Sequence, residues 1–324
     1  MAQEVSIRRY EADDFYPVIA LWNRCLPRDP ITERRFMHMI LMDPNFDPNG
    51  CWVAVDRESA EVVGFILGLV RRVPLGRIGM QEDTGWISVL FVHPEVRRQG
   101  IGSQLLTRAL DFFREKERKE IWCSSYTPNY FAPGVDLDVH PEAVSFFEKH
   151  GFVEAAEAIG MAGTILNMEM PAEVNAAEER LRSEGMTVQF LEPKLVFRFL
   201  AFLERNFPGD WTRAARERLM MGAALDDFLI VLKDGEVVGY CQYEGEHFGP
   251  FGVCEELRGQ KIGSILFYRA AKRMRAKGYQ HIWVAWTGGE AKRFYERAGM
   301  RVNRRHAIMK KTLPFGKCQI PRSK

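Results

Sequence analysis

Residues 86–106 read WISVLFVHPEVRRQGIGSQLL, and the other elements of the chain can be placed from them. The apolar run up to Val92 is long enough for one buried strand. Pro94 ends this strand, because proline cannot donate a hydrogen bond to a neighbouring strand. After a basic turn, apolar residues return at helical spacing from Leu105 onward, which predicts a helix. A strand, a basic glycine-containing turn and a helix together predict a phosphate or pyrophosphate site, because helix N-termini carry unpaired N–H groups and partial positive charge.

Two common nucleotide-binding motifs do not fit this turn. A P-loop needs a Lys-Ser or Lys-Thr pair after its second glycine, but Gly102 is followed by Ser103 and Gln104. A dinucleotide-binding fingerprint needs a third glycine where this chain has Leu105. The phosphate ligand therefore belongs to another class.

The same pattern returns 161 residues later, as an internal repeat. At this offset Val92 corresponds to Val253, Arg97 to Arg258 and Gly102 to Gly263. The next helix also repeats, but there the offset is 148 residues. The first copy is therefore predicted to carry an insertion near residues 126–141, and the chain to contain two similar domains.

Composition indicates an ordinary globular protein, since 324 residues suffice for two domains. The formal net charge of +2 argues against a general nucleic-acid binder. The six cysteines form no CxxC pair, and no pattern indicates a metal site. We find no signal-peptide pattern and no apolar run long enough for a membrane span, so we expect a cytoplasmic protein with no membrane partner.

Alternation of strand and helix patterns predicts an α/β fold, with a mixed sheet and helices on both faces in each copy. We predict an N-terminal domain over residues 1–170 and a helical linker over 171–185. A C-terminal domain is predicted over 186–313, followed by a tail over 314–324.

The Arg-x-x-Gly-x-Gly turn after a strand ending in Val-x-Pro resembles the acetyl-CoA signature of the GCN5-related N-acetyltransferases (GNATs). The resemblance covers nearly the whole chain, as two tandem GNAT-like domains. It implies splayed sheets that hold the pantetheine arm of acetyl-CoA, with turns that wrap the pyrophosphate. One departure is Lys261, which stands where the first copy has Gly100. The implied cofactor-binding residues are Val92, Arg97, Arg98, Gln99, Gly100, Ile101, Gly102 and Ser103, then Val253, Arg258, Gly259, Gln260, Lys261, Ile262, Gly263 and Ser264.

The resemblance also implies a tyrosine acid four residues before the glycine that ends the second repeated helix. The second copy has Tyr295 there, whereas the first has Phe147, which has no proton to give. Tyr126 or Tyr130 in the insertion is an alternative source of a hydroxyl in the first copy.

Two equivalent carboxylates, Asp83 and Glu244, precede the motif strands and are candidate general bases. Solvated turn groups are the commoner role of acidic residues at strand ends, and a water chain is an alternative base.

The function that follows is acetyl-CoA-dependent N-acetyl transfer to a primary amine of a small molecule or peptide, by direct attack and without a metal. The alternative is a non-catalytic acyl-CoA-binding or regulatory protein that keeps the fold. The sequence leaves the acceptor, the acyl length and the oligomeric state open.

Overall fold

The computed structural model describes residues 4–314, which divide into two compact units. The first unit contains the described residues of Met1–Pro74, Gly79–Ala158 and His306–Lys324. The second contains Leu75–Ile78 and Ile159–Arg305. The predicted tail lies, beyond Pro314, outside the described residues.

Strands and helices alternate along the chain, which confirms the predicted mixed α/β fold. The strands are β1 Val5–Arg9, β2 Cys51–Asp56, β3 Val62–Val70, β4 Thr84–Val92, β5 Glu120–Cys123, β6 Val135–Asp136, β7 Val153–Thr164, β8 Met186–Phe190, β9 Phe228–Lys233, β10 Glu236–Glu244, β11 His247–Val253, β12 His281–Thr287 and β13 Arg301–Thr312. The helices are α1 Phe15–Cys25, α2 Glu33–Phe36, α3 Ile101–Glu115, α4 Pro141–Lys149, α5 Ala172–Ser183, α6 Val196–Asn206, α7 Trp211–Met220, α8 Ile262–Ala276 and α9 Gly289–Arg297.

The first unit is built on a mixed sheet in the order β1-β2-β3-β4-β5-β13. Neighbouring strands are antiparallel except for the parallel pair β4–β5. Helix α3 packs on one face through Leu105, Leu106, Ala109 and Phe113, which are all buried. The other face is covered by α1 and α2, where Trp22 and Phe36 are buried. The two apolar layers fix the helix that follows the motif turn against the sheet.

The second unit repeats this plan, with the sheet order β8-β9-β10-β11-β12-β7 and one parallel pair, β11–β12. Trp86 pairs with Trp122 in the first unit, and His247 pairs with Trp283 in the second. Both residues of the second pair lie 161 positions after those of the first. The strand registers therefore agree with the repeat found in the sequence.

The last strand of each copy departs from a simple tandem arrangement. The end of β13 pairs with β5 of the first unit, where Lys310 faces Trp122. Residues 159–164 of β7 pair with β12 of the second unit, where Met161 faces Val284. The predicted domain boundaries at 170 and 186 instead assign β7 to the N-terminal domain and β13 to the C-terminal domain. The alternation of a strand predicts a sheet position but does not specify which of two similar sheets it joins.

Candidate active site

The two parallel strands of the first unit separate halfway along their length. Thr84 to Ile87 of β4 pair with Glu120 to Cys123 of β5, but β4 continues to Val92. Along its second half, β4 is paired with β3 alone among the described strands. The backbone groups of β4 that point away from β3 are therefore available to a ligand.

A β-bulge marks the point where the two strands separate. Along β3, Leu67 faces Val89 and the next residue, Gly68, faces Ile87, so Ser88 is the extra residue of β4. Ile87 lies in the core layer on the α3 side, and Val89 lies in the layer on the α1 side. A regular strand would place these two residues on one face. Ser88 is 5% exposed, and its hydroxyl has no hydrogen-bond partner among the described residues.

The motif turn after β4 contains two residues in the left-handed region. Arg98 has φ +66° and Gly100 has φ +82°, and Gly100 is the N-cap of α3. The N–H groups of the first turn of α3 have no partner within the helix and point out of its N-terminus. A Cβ at Gly100 would meet nothing within 4 Å, so the space beside the turn is open to a ligand.

The turn of the second unit has the same backbone with its residue types exchanged. Gly259 has φ +82° and Lys261 has φ +66°, at the positions of Arg98 and Gly100. Each turn thus uses one glycine and one basic residue at its two left-handed positions. Lys261 therefore does not change the backbone conformation of the turn, because the glycine is at the other left-handed position, as Gly259.

Two of the predicted cofactor-binding residues, Arg97 and Arg258, hydrogen-bond to the ends of the motif strands. Arg97 donates from Nε to the carbonyl oxygen of Val92 over 3.1 Å, and Arg258 makes the equivalent bond to Val253 over 3.4 Å. Arg97 also lies 3.5 Å from Glu142 Oε1. These arginines hold the end of the strand to the start of the turn.

A cavity of about 670 Å³ in the first unit lies along the separated half of β4 and reaches the motif turn. Ser88 and Phe147 also line it. The structure therefore brings most of the predicted cofactor residues of the first copy to one cavity; those that line it are Val92, Arg97, Arg98, Gly100, Ile101, Gly102 and Ser103.

A histidine that no sequence pattern selected lies beside the turn. His150 Nε2 is 3.1 Å from Ser103 Oγ, and its Nδ1 is 2.8 Å from the carbonyl oxygen of Phe146. A carbonyl can only accept, so Nδ1 carries a proton, and Nε2 lies within hydrogen-bond distance of the Ser103 hydroxyl. No sequence pattern linked His150 to Ser103.

The hydroxyl of Tyr126 is committed to a buried cluster. It donates to Asp43 Oδ1 over 3.0 Å and accepts from Asn45 Nδ2 over 2.8 Å. Tyr126 is fully buried, and burial raises the pKa of its phenol well above the ordinary value. These contacts make Tyr126 part of the packing of the insertion.

Tyr295 lies in an aromatic group of the second unit, packed against Phe248, Phe251 and Phe294. It is 5% exposed, and burial raises the pKa of its phenol well above the ordinary value. The hydroxyl therefore stays protonated at neutral pH.

The two candidate bases lie on the surface. The Asp83 side chain is 59% exposed and pairs with Lys119 over 2.7 Å, at the end of β4 that is remote from the bulge. The Glu244 side chain is 76% exposed and lies 3.8 Å from Arg218. Asp83 is not among the residues that line the cavity of the first unit.

Within residues 4–314, no three His, Cys, Asp or Glu side chains are grouped so as to hold a metal ion. Every helix in this part of the chain is too short or too polar to cross a bilayer.

Comparison with known proteins places this geometry in a family. Residues 15–152 and 197–300 match the acetyltransferase (GNAT) family, once in each copy. The chain belongs to this family as a tandem GNAT protein. An acetyltransferase of Photorhabdus laumondii is 32% identical over 113 residues, which are 32% of this chain and 63% of that protein. The match thus spans less than two thirds of that relative's length.

Solved GNAT structures match nearly the whole chain. The GCN5-related glucosamine N-acetyltransferase region of a fungal multi-domain GH3 beta-N-acetylglucosaminidase has a TM-score of 0.78 and 21% identity, covering 96% of this chain and 38% of that one. A GCN5-related N-acetyltransferase from Sphaerobacter thermophilus has a TM-score of 0.71 and 18% identity, covering 96% of both chains. A tandem GNAT protein of the clavulanic acid biosynthesis pathway has a TM-score of 0.65 and 18% identity, covering 97% of this chain and 100% of that one. At these identities the likeness establishes the fold.

Proposed function

We propose that this protein transfers the acetyl group of acetyl-CoA to a primary amine of a small molecule or peptide by direct attack. The observation that carries the proposal is the cavity of about 670 Å³ between the separated half of β4 and the motif turn. Family membership supports acetyl transfer, and the position of the cavity at the motif turn supports binding of the co-substrate there.

In the first copy, the turn would hold the pyrophosphate. The N–H groups of Ile101, Gly102 and Ser103 belong to the first turn of α3, where the helix dipole favours an anion. Arg98 adds a positive charge at a left-handed position of the same turn. Arg97 acts indirectly, by holding Val92 beside the turn.

The pantetheine arm would lie along the unpaired side of β4. Its amide groups can pair with backbone groups there, much as an added strand would. The carbonyl oxygen of Val92 already accepts from Arg97, so other groups of residues 88–92 would supply some of these bonds.

The second copy would offer a similar turn, because Gly259 and Lys261 reproduce its left-handed positions. The Lys261 side chain is 45% exposed and lies 3.9 Å from Glu173, so its ammonium group can reach solvent. We propose that residues 258–264 form a second acyl-CoA turn.

The chemistry requires attack by a neutral amine on the thioester, stabilisation of the oxyanion and a proton for the departing thiolate. We propose Tyr295 as the proton donor of the second copy. Its buried phenol is protonated at neutral pH, the form that an acid requires. Asp83 and Glu244 are the proposed general bases. Because both side chains are exposed, a route through water molecules is better supported than direct proton transfer from the amine to either carboxylate.

The test is release of free thiol from acetyl-CoA in the presence of a panel of primary amines. We expect release that depends on one class of amine, with the acetylated amine as the second product. Tight binding of acetyl-CoA without thiol release for any amine would instead support the non-catalytic alternative.

A further inference from the structure

Ser88 was not selected as a site residue by any sequence pattern. It is the extra residue of the β4 bulge, at the point where β4 leaves β5. The equivalent residue of the second copy is Gly249, which has no side chain to offer. A function of the Ser88 hydroxyl would therefore be specific to the first copy.

The environment of this hydroxyl is unusual for a protein interior. Ser88 is 5% exposed and lines the cavity, yet its Oγ has no hydrogen-bond partner in the described part of the chain. Burying a hydroxyl without a partner costs free energy, and an alanine there would avoid this cost. A ligand in the cavity would supply the missing partner.

We propose that the Ser88 hydroxyl donates a hydrogen bond to the acetyl carbonyl oxygen of acetyl-CoA in the first copy and stabilises the oxyanion. This inference rests on the proposed function. The amine nitrogen forms a bond to the carbonyl carbon while the C=O electron pair moves to oxygen. When the C=O bond re-forms, the C–S bond breaks and the thiolate leaves. The amine proton is transferred to the thiolate, and Ser88 keeps its own proton throughout.

The position of Ser88 along the strand fits the acyl end of the co-substrate. The pyrophosphate would lie at residues 100–103, and the arm would run back along β4 from Val92. The four residues from Val92 to Ser88 span about 13 Å at roughly 3.3 Å per residue. β4 rejoins β5 at Ile87, which closes this end of the separation.

Other side chains around the cavity cannot take this role as readily. Phe147 lines the cavity without a hydroxyl. Ser124 lines the cavity, but its hydroxyl donates to the carbonyl oxygen of Ala132. The Tyr126 hydroxyl is outside the cavity lining and donates to Asp43. Among the described residues that line the cavity, Ser88 has the buried hydroxyl without a partner.

The experiment measures the carbonyl stretch of acetyl-CoA labelled with ¹³C at the carbonyl carbon, bound to the full chain. A Gly263→Glu background confines binding to the first copy. There Ser88→Ala should move the stretch to higher wavenumber, because a donor to the oxygen is lost, while acetyl-CoA affinity stays nearly unchanged. Ser88→Thr, which retains a hydroxyl, should leave the stretch near its original position.

The matched control places Ser88→Ala in a Gly102→Glu chain, which confines binding to the second copy, and no shift is expected there. If either glutamate variant fails to fold, the same shift is measured on the otherwise native chain. An unchanged stretch in Ser88→Ala overturns the proposal.

With an accepted amine, loss of one oxyanion donor should lower kcat on the order of 10²-fold in the Gly263→Glu background. Full activity of Ser88→Ala there would also overturn the proposal. Absence of thiol release by the native chain would refute the proposed function, whereas the carbonyl stretch would still report whether Ser88 contacts the acyl group.

Discussion

Replacing Gly102 with glutamate should nearly abolish acetyl-CoA binding by the first copy. Gly102 lies in the first turn of α3, and a Cβ added there would be 3.4 Å from the ring of Phe146. That contact is tight but tolerable, so the larger effect comes from the carboxylate beside the phosphates. At a separation of about 5 Å and an effective dielectric constant of about 20, two unit charges repel by about 3 kcal/mol. This corresponds to a loss of affinity on the order of 200-fold.

The assay is calorimetric titration with acetyl-CoA, which gives both affinity and stoichiometry. Gly102→Ala is the matched control, because it adds the Cβ without the charge, and it should weaken binding far less. Gly263→Glu applies the same charge to the second copy and should remove only the binding that belongs there. Unchanged affinity and stoichiometry in Gly102→Glu would refute the assignment of the first turn as a phosphate site.

Three further substitutions test contacts within the two units. Tyr295→Phe should lower the transfer rate of the second copy by about 10²–10⁴-fold with acetyl-CoA affinity nearly unchanged, and full activity measured in a Gly102→Glu chain would exclude the acid role. A lysine ammonium that donates to Asp226 lowers the pKa of that carboxyl below its ordinary value of 3.8. Asp226→Asn should therefore destabilise the fold at neutral pH. In denaturant titrations, the difference in unfolding free energy between native and variant chains should vanish as pH falls well below 3.8. Gly134→Ala should destabilise the fold by about 1–3 kcal/mol, because its Cβ would lie 2.3 Å from the carbonyl oxygen of Ala307 in β13; an unchanged melting temperature would argue against that placement of the strand.

The repeat and the motif turn could be predicted because they depend on local chemistry. Strand, proline stop, basic turn and apolar helix face are each encoded within a few residues, and the copies confirm one another at an offset of 161. In the sequence, Lys261 is recognisable only as a departure at the position of Gly100. The structure shows that the turn needs two left-handed positions, and that Gly259 and Lys261 together meet this need.

The parts of the site that sequence patterns missed depend on distant partners. Ser88 stands in an apolar strand run, and only its pairing with β3 shows that it is the extra residue of a bulge. His150 meets Ser103 across 47 positions of the chain, at a distance that no spacing rule predicts. The commitment of Tyr126 to Asp43 likewise depends on the fold of the insertion.

The pairing of β13 with β5 has a consequence for the order in which the protein can form. Trp122 pairs early with Trp86 of β4, but it obtains its second strand partner, Lys310, only after the chain has been synthesised as far as β13. Until then the edge of β5 presents unpaired N–H and C=O groups, which favour pairing with other chains. Contacts between residues so far apart also slow folding, because the intervening chain must be ordered first. A fragment ending after the first copy would retain this open edge permanently, whereas a separately supplied second half would carry the strand that closes it.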